Sequence, residues 1–156
     1  MLEAELENAL RASVLAAYAQ GYDLIAEASR EEGWNIDLAE VSRIWQGGCI
    51  IRAKVLAFLR KAFLDVGTDG KTPHLFEIPE VRNVLVSASP DWRKIVGGAT
   101  ENGIPVPTIS AGLSYFDSLA NDSLPANFLQ GLRDHFGAHT YERNDRTGTF
   151  HSHWGA

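Results

Sequence analysis

An all-α fold of about six packed helices followed by an extended C-terminal tail is predicted by three observations. Apolar residues recur at three-and-four spacing through most of the 156-residue chain, glycines and asparagines stand where those runs stop, and strand-type alternation is weak throughout. Hydrophobic residues at 45% and charged residues at 22% fit a soluble globular protein, and the length suffices to bury a substantial core. The helices are expected to pack orthogonally or as a bundle over residues 1–137, with the tail occupying 138–156.

The first helix is predicted from Glu3 to Glu32, because Leu6, Leu10, Val14, Ala17, Leu24, Ile25 and Ala28 share its spacing and Gly33 stands at its end. Its opening acids Glu3, Glu5 and Glu7 complement the helix N-terminus, and Ala16, Ala17, Ala19 and Gly21 would let another helix approach closely. Asp37 followed by Glu40 resembles a capping box and opens a short helix through Ile44 and Trp45. After Gly47-Gly48 a third helix is expected from Cys49 to Val66, with Ile50, Val55, Leu59 and Phe63 in the core. Residues 67–73 read as a turn and Leu75 to Val86 as a short helix. Ser89-Pro90-Asp91 has the form of a new helix start, running through Trp92, Ile95 and Val96 to Asn102-Gly103. Another helix follows from Pro107 to Leu119, and a last one opens at Pro125 behind a Ser123 cap and stops at Gly137. Phe128, Leu129, Leu132 and Phe136 give that last helix an apolar face to bury.

Net charge is −6, yet residues 1–40 hold nine acids and two bases while 41–64 hold five bases (Arg43, Arg52, Lys54, Arg60, Lys61) and no acid. The acidic chain as a whole argues against a nucleic-acid partner, so these bases read as solvated helix charges or as pairs with the acidic first segment. Cys49 is the single cysteine, which excludes an intrachain disulfide and reads as a small buried hydrophobe. Trp34, Trp45 and Trp92 read as core or interface residues. With no leader at the start and no apolar run long enough for a bilayer, the expectation is a cytoplasmic protein without a membrane partner.

Few residues suggest chemistry. The paired glycines lack both a GxGxxG after a strand and a Walker lysine, and no G-x-S-x-G elbow occurs. Four of the five histidines (His135, His139, His151, His153) fall in the last 22 residues, but no carboxylate pair completes a zinc pattern, so no metal site is expected. What remains is Arg133, near the end of the last helix, and His139, just past its stop. Six residues apart, a fixed cation and a group titrating near neutrality could converge on one small anionic ligand. The same residues also admit a plain reading, in which the helix dipole favours the arginine and the histidine is a surface group.

The stretch that holds them carries a resemblance. Leu124 to Asn127 (LPAN), Arg133 to Glu142 and the aromatic close from Phe150 to Trp154 resemble the C-terminal segment of 6-phosphogluconate dehydrogenases. Tyr18 to Gly21, Ile44-Trp45, Gly47 to Arg52 and Asn102 to Pro107 read like the same family in the same order, whereas Asp65 to Pro90 is hard to place. The resemblance implies a helical C-terminal domain of an enzyme that oxidises 6-phosphogluconate with NADP and releases carbon dioxide, leaving ribulose 5-phosphate. It implies that Arg133 holds the substrate phosphate and that His139 bonds a substrate hydroxyl or neighbouring polar group, both delivered to the other subunit of a homodimer by a tail that docks there. It further implies that the NADP-binding domain and the catalytic lysine and glutamate belong to sequence preceding residue 1, so that this chain carries no catalytic residue, binds no cofactor, and is inactive alone or works with a separate NADP-binding chain. The alternative is a non-catalytic helical module for dimerisation or regulation derived from that enzyme.

Overall fold

Six α-helices and one two-strand ladder make up the regular structure of the described residues, 2–65 and 73–155, in the computed structural model. The helices are α1 (Leu2–Glu32), α2 (Leu38–Trp45), α3 (Val55–Asp65), α4 (Pro79–Glu101), α5 (Pro107–Ala120) and α6 (Ala126–Gly137). A 3-10 turn at Leu75–Glu77 precedes α4, and β1 (Tyr141–Glu142) pairs antiparallel with β2 (Thr149–Phe150). The all-α class expected from the sequence is correct. Two compact units divide the chain, Met1–Phe116 and Asp117–Ala156, and α6 shares the second with the tail. Apart from Pro73, the turn expected over 67–73 lies outside the described residues, as does Val66.

In the first unit, α1 does not bury the face its leucines predict. Leu6, Leu10, Val14 and Leu24 are exposed, while Ala9, Ala12, Leu15, Ala16, Ala19 and Tyr22 are buried. Small side chains let the backbone of α4 come close, and close approach buries Val81, Leu85, Ala88 and Trp92 of that helix. Trp92 is fully buried, its indole N–H donating to the Ile109 carbonyl at 3.0 Å. Gly112 lies against it so closely that a Cβ there would stand 3.1 Å from the Trp92 ring. Trp34, by contrast, is exposed, which leaves the interface half of its expected role, and Cys49 is half-buried, not the buried hydrophobe the sequence suggested.

Asp37 caps α2 as expected, accepting the N–H groups of Ala39 and Glu40, but Glu40 turns away to pair with Arg43. That pair joins the acidic segment to the basic stretch, whereas Glu5 of the acidic segment pairs with Lys94 on α4 at 2.6 Å. The third helix starts six residues later than predicted, at Val55, and Ile50 is solvent-exposed. Gly48 has φ 72°, the Arg52 N–H closes a turn on the Cys49 carbonyl, and the Tyr18 hydroxyl donates to the Ile51 carbonyl that a helix would have used.

The two helices expected between Leu75 and Gly103 are one. His74 opens the 3-10 turn, its Nδ1 accepting the Phe76 N–H and its backbone N–H donating to Glu77, while Nε2 lies 2.8 Å from the Tyr115 hydroxyl. From Pro79 the helix continues straight through Pro90. Pro90 cannot donate to the Val86 carbonyl four residues back, and the Ser89 hydroxyl donates to that oxygen instead, at 3.0 Å. The serine that looked like a cap therefore repairs the ladder at the proline.

Candidate functional site

The second unit places Arg133 and His139 on a helix and on the turn that leaves it. Its helix α6 starts without a side-chain cap, with Pro125 in the capping position, so Ser123 does not play the role the sequence suggested. Gly137 is still helical, and the left-handed residue that ends α6 is Ala138, at φ 47°. The basic residue of the last turn is His135. Arg133 stands just ahead of that turn, which weakens the helix-dipole reading of the arginine.

One residue not singled out by sequence reasoning organises this unit. Asp134 is fully buried and is the one charged side chain buried among the described residues. Its Oδ1 accepts the Thr140 N–H at 3.1 Å and the His151 Nδ1–H at 2.8 Å, and its Oδ2 accepts the Ser152 N–H at 2.9 Å and the Trp154 indole N–H at 2.8 Å. A buried carboxylate next to the negative end of a helix is unfavourable unless donors surround it, and here four do. Burial alone would raise its pKa, but the Ser152 N–H, the His151 ring and the Trp154 indole hold it well below the usual carboxylate range. The sequence signal was present: an acid in the final turn of a helix runs against the dipole.

The tail is thereby closed onto α6. Tyr141 pairs with Phe150 across the ladder and meets Ser152 through its hydroxyl at 2.8 Å. Arg146 lies over the Phe150 ring at 4.5 Å, and Trp154 packs edge-on to His135 and against Gly131. Because the Asp134 pKa is depressed in the folded state, the clasp is fully stabilised above the unfolded carboxylate pKa of about 4 and weakens as the pH falls below it. Acidification from pH 7 is therefore expected to leave the Trp154 indole N–H resonance in its folded position down to about pH 4, with the clasp losing stability only progressively below that. Release of the indole signal already above about pH 5 would contradict this.

On the other side of α6, Phe128, Leu129, Leu132 and Phe136 are exposed, so the apolar face predicted from their spacing is formed but not buried. The His139 ring meets Phe136 edge-on, with centroids 5.5 Å apart, and Arg133 precedes Phe136 by three residues, which makes them neighbours on the helix surface. Phe136 is thus next to both. Both side chains are exposed, and among the described residues no hydrogen bond or ion pair engages the Arg133 guanidinium or the His139 ring. A cation and an imidazole held open to solvent can take a phosphate and a hydroxyl. Neither residue lines the cleft of about 660 Å³ between the 122–131 segment and the hairpin. Of the clustered histidines, His151 is engaged by Asp134, and no group of three or more metal-ligating side chains forms among the described residues.

A family model described as "6-phosphogluconate dehydrogenase, C-terminal domain" matches residues 1–154. The chain belongs to this family. Among curated 6-phosphogluconate dehydrogenase relatives, a decarboxylating enzyme of Synechococcus elongatus is 45% identical over 149 residues, covering 96% of this chain and 31% of that protein. A chloroplastic one of Oryza sativa is 47% identical over 154 residues, covering 99% and 30%. The solved 6-phosphogluconate dehydrogenase of Plasmodium falciparum, described in apo form and in complex with NADP+ and with 6-phosphogluconate, superposes with a TM-score of 0.88 at 40% identity, covering 98% of this chain and 32% of that one. The chain thus spans about a third of the length of the 6-phosphogluconate dehydrogenases it matches.

Proposed function

We propose that this chain is the C-terminal, substrate-clamping part of a decarboxylating, NADP-dependent 6-phosphogluconate dehydrogenase. The observation that carries the reading is the pair of solvent-open groups, Arg133 and His139, on either side of Phe136 at a turn locked by Asp134. Arg133 binds the substrate phosphate through its forked N–H donors, and His139 bonds a hydroxyl of the sugar acid. Their role is positioning, since neither moves the proton or the hydride of the oxidation. We assign NADP to the complete enzyme, in keeping with the NADP+ complex of the Plasmodium falciparum relative.

The exposed faces suit that arrangement. Leu2, Leu6, Leu10 and Val14 form an apolar ridge along α1 that the rest of such an enzyme would cover. The face of α6, with Phe128 82% and Phe136 67% exposed, offers a second subunit about 1.5–3 kcal/mol for each large side chain it buries. These faces support a homodimer in which α6 and the tail carry Arg133 and His139 into the partner's site, and we place the enzyme in the cytoplasm as part of the same proposal. Among the described residues no helix is long and apolar enough to cross a membrane. The reading is tested by titrating the chain with 6-phosphogluconate and with gluconate while following Arg133 and His139 by NMR. Only the phosphorylated acid is expected to shift both, and equal responses to the two ligands would refute it.

A further inference from the structure

We infer that Asp134 is a positioning residue that sets the His139 ring in place for substrate, an inference that rests on the clamp reading of Arg133 and His139. His139 lies between two non-glycine residues in the left-handed region, Ala138 at φ 47° and Thr140 at φ 64°. Such backbone is uncommon for any side chain and most unfavourable for a β-branched one like threonine, so it persists only where surrounding contacts hold it. Asp134 supplies two of them: its backbone carbonyl accepts the Ala138 N–H at 2.9 Å, and its carboxylate accepts the Thr140 N–H at 3.1 Å, while the Thr140 hydroxyl donates to the His139 carbonyl at 2.5 Å. The chain therefore doubles back at His139 and lays the imidazole over Gly137. A Cβ at position 137 would stand 2.7 Å from that ring, so glycine leaves the space the ring occupies.

The other three donors to the carboxylate come from His151, Ser152 and Trp154. One buried anion thus couples the turn holding His139 to the far end of the tail. Asparagine in its place keeps the shape but turns an NH2 group toward N–H donors, which removes acceptors on one side and releases the turn.

Two measurements decide this, the first on the 156-residue chain. In the unaltered chain, nuclear Overhauser contacts should join the His139 and Phe136 rings. Asp134→Asn should abolish them while far-UV circular dichroism stays helical, and contacts that persist overturn the inference. Should Asp134→Asn lose helicity, Trp154→Phe decides instead: removing one donor must weaken the ring contacts, and unchanged contacts overturn the inference. The second measurement uses the chain combined with a fragment supplying the remaining dehydrogenase domains. Asp134→Asn should raise KM for 6-phosphogluconate about ten- to a hundredfold with kcat nearly unchanged. In a His139→Ala background the same substitution should add less than about threefold, because the two act as a unit. An unchanged KM, or full additivity, overturns the positioning role. If Arg133→Ala and His139→Ala themselves leave KM unchanged, the clamp reading fails first, and the ring-contact result then reports only on the turn.

Discussion

Arg133→Ala is expected to weaken binding of 6-phosphogluconate by about 1.5–3 kcal/mol, the range for a hydrogen bond to a charged group, which is about ten- to a hundredfold in affinity. The expectation rests on an exposed guanidinium that no described residue engages, so its forked donors are open to a phosphate. Helicity should be unaffected, because alanine suits α6 and no hydrogen bond or ion pair among the described residues is lost. Arg133→Lys should recover part of the affinity, since it keeps the charge but not the fork. Gluconate binding should be indifferent to both substitutions. Equal affinity of the wild-type and Arg133→Ala chains for 6-phosphogluconate would remove the arginine from the site.

The largest effect on stability is expected at Trp92. Its ring is fully buried in the first unit, packed near Phe116 with centroids 6.1 Å apart and against Gly112, and its indole N–H satisfies the Ile109 carbonyl. Trp92→Ala leaves a cavity and an unpaired carbonyl, at a cost of about 3–5 kcal/mol. A protein of this size should lose about 6–20 °C in Tm. Trp92→Phe, which refills much of the space but has no N–H, should cost less. Thermal unfolding followed by far-UV circular dichroism checks both, and a shift below about 3 °C for Trp92→Ala would show that Trp92 is not the centre of the core.

Local signals in the sequence were sufficient for most of the helices. Gly33, Asp37 and Asn102-Gly103 act through their own backbone or nearest N–H groups, so α1, α2 and the end of α4 lie where those residues indicate. Where the deciding interaction is distant, local reading fails. The start of α3 is displaced by a Tyr18 hydroxyl from another helix, and the burial of α1 follows the small residues that α4 needs, not the leucines. At Pro90 the local signal indicates a break, but the neighbouring Ser89 supplies the hydrogen bond that the proline cannot.

The candidate site shows the same division. Arg133 and His139 stand out in the sequence because a cation and an imidazole six residues apart could converge on one anion and because their stretch resembles the family's C-terminal segment, and the structure places both exposed beside Phe136. Asp134 does not stand out, because its partners are 6, 17, 18 and 20 residues away and only the folded tail brings them together. A tail read as a polar, aromatic extension is in fact tied to α6 through one buried carboxylate.

The central claim is that this chain contributes the substrate clamp of a larger dehydrogenase, and reconstitution tests it most directly. The chain is mixed with a separately produced fragment carrying the cofactor-binding and catalytic parts, and NADPH formation from 6-phosphogluconate is followed with wild-type and Arg133→Ala chains. Activity that appears only on mixing and falls with Arg133→Ala is the predicted result. Demonstrable association of the two pieces with no activity, or activity indifferent to Arg133→Ala, would contradict it.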